Sequence, residues 1–209
     1  MITIAHRGYS GKFIDNTIQA FLAAIEAGFD VIELDIQLCA SGDIVVFHDT
    51  YIGNTLIIDM SLDEIRSIYP YVPTLLQVFK QVKHNLYLDI KGTSDLMKQI
   101  LVMKNLFPET PFCIASFNER HLQSCKVIMP DVKVGLITEN VYIDALCFDV
   151  DFFVFHWTAL DNINIAKIHN ANKKVFSYSY KEPIDLAYME KFRIDGIVSN
   201  HVIKGLPNS

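Results

Sequence analysis

Val31-Ile32-Glu33-Leu34-Asp35-Ile36-Gln37-Leu38, then Cys39-Ala40-Ser41-Gly42-Asp43, then Ile44-Val45-Val46-Phe47-His48: the reading of this stretch decides the fold. The outer two runs are short, apolar and rich in β-branched residues, as strands are. The segment between them is too short for a parallel crossover, which takes a dozen or more residues. It suits a hairpin turn, with Gly42 free to adopt positive φ. The run ending at His48 is therefore expected to fold back antiparallel on the run that carries Glu33 and Asp35.

Outward from this hairpin, strand-like runs alternate with stretches of helical period, which argues for an α/β chain with a parallel sheet. The strand candidates are residues 3–7, 31–38, 44–48, 86–91, 112–116, 133–137, 152–156, 174–179 and 196–199. With the hairpin arm set aside, those that remain close a (β/α)8 TIM barrel with a small β-hairpin excursion after its second strand. The chain has 209 residues, somewhat below the roughly 250 usual for that fold, so its helices and loops should be short.

Helix signals fill most of the gaps. Asn16-Thr17 precedes a helix over residues 17–27, which Gly28 ends. Ser61-Leu62-Asp63-Glu64 has capping-box spacing, and Pro73-Thr74 opens another helix. Residues 94–106, 118–128, 141–148, 160–170 and 184–192 supply the rest. Residues 50–85 read as a short helical insertion, too small for a core of its own, so residues 1–209 are read as one domain.

Composition narrows the function classes. Hydrophobic residues make up 51% of the chain, enough for a large core. The net charge is −6 and there is no basic run, which argues against nucleic-acid binding. Cys39, Cys113, Cys125 and Cys147 are scattered without a C-x-x-C pair, which argues against a cysteine zinc site and for reduced thiols. No signal peptide or transmembrane stretch is evident. The expected setting is cytoplasmic.

The chemistry-bearing residues gather at strand ends, where a β/α barrel builds its active site. They are His6-Arg7, Glu33-Leu34-Asp35, His48-Asp49 and Asp89-Ile90-Lys91. Glu33 and Asp35 stand two residues apart on a strand and so share a face. Carboxylates facing a barrel interior are costly unless neutralised. A solvated pair, or a pair bonded to Arg7 or Lys91, would be one solution. A hard divalent cation with oxygen ligands, Mg²⁺ or Ca²⁺, is the other, and Asp89 on the next barrel strand strengthens it. His6 and His48 suit proton transfer to and from a phosphodiester. Arg7 and Lys91 suit phosphate oxygens. His156 also ends a strand and is a minor candidate. There is no P-loop, dinucleotide fingerprint or nucleophile elbow.

In these residues the chain resembles the glycerophosphodiester phosphodiesterase family. The matching pieces are His6-Arg7-Gly8, Asp15-Asn16-Thr17-x-x-Ala20-Phe21, Glu33-Leu34-Asp35, Gly42-Asp43 through His48-Asp49, Pro73-Thr74-Leu75 and Asp89-Ile90-Lys91, with weaker matches at Ser116-Phe117 and Asp195-Gly196-Ile197. The resemblance covers nearly the whole chain. It implies a barrel with a divalent metal on Glu33, Asp35 and Asp89, an acid/base pair of His6 and His48, and phosphate contacts from Arg7 and Lys91. It further implies hydrolysis of a small-molecule glycerophosphodiester to glycerol 3-phosphate and an alcohol. Related barrels act on lysophospholipids or sphingomyelin-type diesters, and a non-catalytic phosphoester-binding barrel is a further alternative. The chain departs from the family pattern at Asp15 and Asp89, each of which replaces a glutamate. It departs again at Tyr178-Ser179-Tyr180-Lys181, in place of Trp-Thr-x-Asn, and at Ile52-Gly53-Asn54-Thr55, which lacks an arginine.

Overall fold

The computed structural model describes residues 1–139, 147–180 and 190–203, the side chains of residues 179 and 180 excepted. The helices expected at 141–148 and 184–192 fall largely outside the described residues, and Lys181 falls wholly outside them.

The chain opens with β1 (Ile2–Ala5), α1 (Ile18–Glu26), β2 (Val31–Leu38) and β3 (Ile44–Val46). The segment after the hairpin holds β4 (Tyr51–Ile52), β5 (Thr55–Leu56), α2 (Leu62–Ile68) and α3 (Leu75–Gln81). Then come β6 (Leu86–Ile90), α4 (Met97–Leu106), β7 (Phe112–Ser116), α5 (Glu119–Ile128), β8 (Val134–Thr138) and β9 (Phe152–His156). The last elements are α6 (Asn162–Asn170), β10 (Lys174–Tyr180) and β11 (Gly196–Ser199).

The main sheet runs β1-β11-β10-β9-β8-β7-β6-β2-β3, and a further β1–β2 pairing closes it. Its eight parallel strands form a barrel and β3 lies antiparallel on β2, as the short 39–43 segment requires. That turn is held by Cys39 N–H on the Asp43 carbonyl at 3.0 Å, with Gly42 at φ 85°. β3 stops at Val46, two residues short of the sequence-based boundary, so His48 stands in the loop beyond the strand.

One feature of the sheet positions the site. β6 pairs with β2 from Ile32 to Ile36. On the other edge of β2, β1 reaches only Val31 and Ile32, and β3 takes over at Ile36. The backbone between them lacks a strand partner on that side, and buried backbone groups need partners. Asn16 fills the opening: its Oδ1 accepts from Asp35 N–H at 3.2 Å. Asn16 does this from φ 55°, in the left-handed region that asparagine tolerates.

Three apolar layers hold the fold. Inside the barrel, Ile4, Tyr87, Ala115, Ile137, Phe152, Val154, Phe176 and Val198 fill the lumen. Outside it, Phe21, Phe79, Phe153, Leu122 and Ile168 pack helices against strands. All of Phe152-Phe153-Val154-Phe155 is buried, because a barrel strand is covered on both faces. On α1, Phe21 is core but Leu22 faces outward. A third cluster of Cys39, Val45, Ile57, Met60, Ile65 and Val72 seats the 50–72 segment on the hairpin. The capping boxes of Ser61 with Glu64 and Thr74 with Gln77 start α2 and α3. The β4–β5 hairpin went unread in the sequence, because two-residue strands carry no periodicity. Thr17 caps α1 by accepting from Ala20 N–H. Cys39 and Cys125 are buried, Cys113 is half-buried and Cys147 is exposed.

Candidate active site

The strand ends gather their reactive groups around a cavity of about 330 Å³ at the C-terminal mouth of the barrel. His6, Arg7, Glu33, Asp35, His48, Asp89 and Lys91, all singled out in the sequence, line it together. His156, the minor candidate, lines it too.

Asp35 and Asp89 are register partners on β2 and β6, and Glu33 is one pleat lower, level with Tyr87. One carboxylate oxygen from each of Glu33, Asp35 and Asp89 lies within 4.8 Å of the others. All three side chains are buried, so they are not the solvated pair that a strand end could have given. Tyr87 forms the floor beneath them. Its position, two residues before Asp89, marked it as facing inward, but a buried tyrosine is so common in cores that the sequence did not flag it.

Two cations stand over the acids. Lys91 Nζ lies 2.6 Å from Asp89 Oδ2 and 3.0 Å from Asp35 Oδ1. Arg7 Nε lies 3.1 Å from Asp35 Oδ2 in an ion-pair contact without hydrogen-bond alignment, and its Nη1 lies 3.1 Å from Asp15. Arg7 N–H donates to Glu33 Oε2 at 2.7 Å. Asn16 Nδ2 donates to Asp35 Oδ2 at 2.8 Å. The strained turn Arg7-Gly8, at φ 57° and 78°, aims these groups.

The three acids titrate differently for physical reasons. Burial raises Glu33 well above the usual range, and the nearby carboxylates of Asp35 and Asp89 add to it. Burial also pushes Asp89 up, to about 6, against the pull of Lys91. Burial opposes ionisation of Asp35 as well, but Lys91 and Arg7 hold it below the carboxylate range. Asp89 Oδ1 is buried with no hydrogen-bond partner. An orphaned, inward-facing carboxylate oxygen beside two other buried acids is what a cation site leaves when only the protein is counted. These residues fit a hard divalent ion.

Both histidines are tied through Nδ1. His6 Nδ1 is 2.7 Å from Asn200 Oδ1, just beyond β11. His48 Nδ1 is 2.7 Å from Asp49 Oδ1. Burial, with Arg7 adding to it, lowers the His6 imidazole to about 4. It is therefore neutral at pH 7, with Nδ1–H donating to Asn200 and Nε2 carrying the free lone pair. The sequence reading missed Asn200 and the structural role of Asn16. Asn16 carries a visible signal, since it stands in the family-like Asp15-Asn16-Thr17, but the same residues equally suit a helix cap. Asn200 carries none.

A closed parallel barrel with buried acids, cations and paired histidines at its C-terminal mouth defines a β/α-barrel enzyme of the kind that handles phosphoesters. The chain belongs to the glycerophosphoryl diester phosphodiesterase family, whose profile matches residues 6–204. It is 29% identical to a glycerophosphodiester phosphodiesterase of Caldanaerobacter subterraneus subsp. tengcongensis, over 95% of this chain and 93% of that protein. Its fold matches an Oleispira antarctica phosphodiesterase solved with the product sn-glycerol-3-phosphate, with a TM-score of 0.86 at 22% identity over 96% of this chain and 93% of the other. It also matches a glycerophosphodiester phosphodiesterase of Thermotoga maritima, with a TM-score of 0.80 at 22% identity, covering 96% and 94% of the two chains. Among the described residues no helix is long and apolar enough to cross a membrane.

Proposed function

We propose that this protein hydrolyses glycerophosphodiesters to glycerol 3-phosphate and an alcohol, with a divalent metal and a histidine acid/base pair, on a chain that folds as one unit. The observation that carries the reading is the set of buried Glu33, Asp35 and Asp89 oxygens within 4.8 Å of one another, in the cavity that His6 and His48 also line. Glu33, Asp35 and Asp89 would hold the ion, and Mg²⁺ or Ca²⁺ suits an all-oxygen set. When bound, the ion would supply Lewis-acid stabilisation of charge on the phosphoryl oxygens.

The chain's own residues do the rest. Lys91 and Arg7 sit where fixed positive charge can meet the non-bridging phosphate oxygens. The neutral His6 Nε2 takes the proton from the attacking nucleophile, its ring held by Asn200. His48 Nε2 gives a proton to the leaving alcohol oxygen, its ring held by Asp49. An acid and a base differently placed are what displacement at phosphorus needs. The shorter Asp89, where the family has glutamate, also reaches Lys91, so the same carboxylate can orient the phosphate-binding cation.

The test is direct. Purified protein with Mg²⁺ or Ca²⁺ should release glycerol 3-phosphate from glycerophosphocholine or glycerophosphoethanolamine, and chelation should abolish release. A cyclic phosphate product would instead favour the lysophospholipid or sphingomyelin-type reading. Metal binding without turnover on a broad diester panel would sink the catalytic claim.

A further inference from the structure

The mouth of the barrel is divided into two arcs of different chemistry. β1, β2 and β6, with the loop after β3, carry the three acids, both fixed cations, His6 and His48. The other arc is built from four consecutive strands. Phe117 follows β7, Glu139 follows β8, His156 ends β9 and Tyr178 lies on β10, and all four line the same cavity. Tyr178 and His156 are register partners, and their rings meet edge to face at 5.5 Å. His156 is itself pinned by Nδ1 at 2.7 Å from Thr158 Oγ1. Tyr178 is thus held by its neighbour, while Phe117 is 53% exposed, an aromatic ring offered at the rim.

Charge separates the arcs further. In the first arc, a divalent ion would turn three carboxylates and two fixed cations into one net positive charge. That charge matches a phosphodiester anion. Glu139 remains outside this balance. Among the described residues it makes no ion pair, yet its carboxylate is close enough to push the Tyr178 phenol further up, after burial, to about 12. A carboxylate that shares a cavity with two aromatic rings is suited to a cation: the acid supplies charge and the ring faces supply their quadrupole.

We infer that the arc of Phe117, Glu139 and Tyr178 binds the alcohol half of the substrate and selects a positively charged alcohol of the ethanolamine or choline type. The inference rests on the proposed diesterase function. With the phosphate fixed by Lys91 and Arg7, one substituent of the diester lies toward the acids and the other across the cavity, against this arc. A neutral alcohol such as glycerol or inositol would leave Glu139 unanswered there.

The experiment compares kcat/KM on glycerophosphocholine and glycerophosphoethanolamine with kcat/KM on glycerophosphoglycerol and glycerophosphoinositol, under saturating metal. The cationic diesters are expected to be preferred by about tenfold. Glu139→Gln should shrink that ratio roughly three- to fivefold, chiefly through KM, and Glu139→Lys should reverse it. Glu139 is exposed, so both variants should fold. Independently of turnover, tetramethylammonium added to the metal-free protein should shift the ring NMR signals of Phe117 and Tyr178, and Glu139→Lys should abolish the shift. Equal use of cationic and neutral diesters, a ratio unmoved by both variants, or no ring shift overturns the inference while the diesterase function stands. Hydrolysis of no diester at all overturns that function and the inference with it.

Discussion

The Nδ1 of His6 lies 2.7 Å from Oδ1 of Asn200, 194 residues away, across the seam where β1 meets β11. The first and last strands of the barrel thus share responsibility for one imidazole. An amide oxygen accepts, so the contact favours the tautomer with the proton on Nδ1 and the lone pair on Nε2. Asn200→Ala should lower kcat on the order of 10–100-fold with a smaller change in KM, the usual size for losing the partner that orients a functional histidine. Asn200→Asp keeps a partner and adds a negative charge, so it should move the His6 titration upward. Steady-state kinetics across pH would separate the two, and identical profiles for both variants would contradict the orienting role.

Removing the histidines themselves should cost more. His6→Ala and His48→Ala are each expected to reduce kcat/KM by about 10²–10⁴-fold, the range for general acid–base groups. At saturating metal, the acid limb of kcat/KM should fall well below 6.5, because burial and Arg7 already lower His6 in the metal-free site and a nearby cation lowers it further. Full activity in either alanine variant would remove that residue from the mechanism.

Glu33 and Asp89 should couple metal binding to pH. Both are raised in the metal-free site, Asp89 to about 6, so an incoming cation must displace protons. Calorimetry in buffers of different ionisation heat should show proton release, and affinity should climb as pH rises through about 6. Asp89→Ala and Glu33→Gln should each weaken binding at least tenfold.

The same shift predicts a stability effect of definite sign. Between pH 3.8 and about 6 the native metal-free protein binds a proton at Asp89 that the unfolded chain has released. Stability from this group is therefore complete below 3.8 and lost as pH rises through about 6. Relative to Asp89→Asn, the metal-free wild type should lose Tm across this interval, and added metal should restore it. A parallel pH dependence of the two proteins would refute the assignment.

Gly8 is the backbone counterpart of these side chains. It sits at φ 78°, and a Cβ there would come 2.7 Å from the Ala20 carbonyl carbon. Gly8→Ala must either push the start of α1 away or unwind the turn that aims Arg7. A loss of about 1–3 kcal/mol in unfolding free energy is expected, read by denaturant titration, together with reduced kcat.

How far the sequence reached can be seen at particular residues. Strand positions were legible because a barrel strand carries a dense apolar run, and Glu33, Asp35, Asp89, His6 and His48 stood out as charged or titratable groups at the ends of such runs. The antiparallel placement of β3 followed from chain length alone, since residues 39–43 cannot span a crossover. By itself, then, the sequence determined the barrel, the end of it that bears the site and the residue types available there. Tertiary structure decided the rest. It brought Asn200 to His6 and set Asn16 in the opening between β1 and β3. It parted the protonation of Asp35 from that of Glu33 and Asp89, and placed Glu139 opposite the acids. Each of these depends on barrel closure, which sets residues far apart in the chain within hydrogen-bond distance, and on burial, which raises or lowers a pKa according to neighbours that no local pattern names.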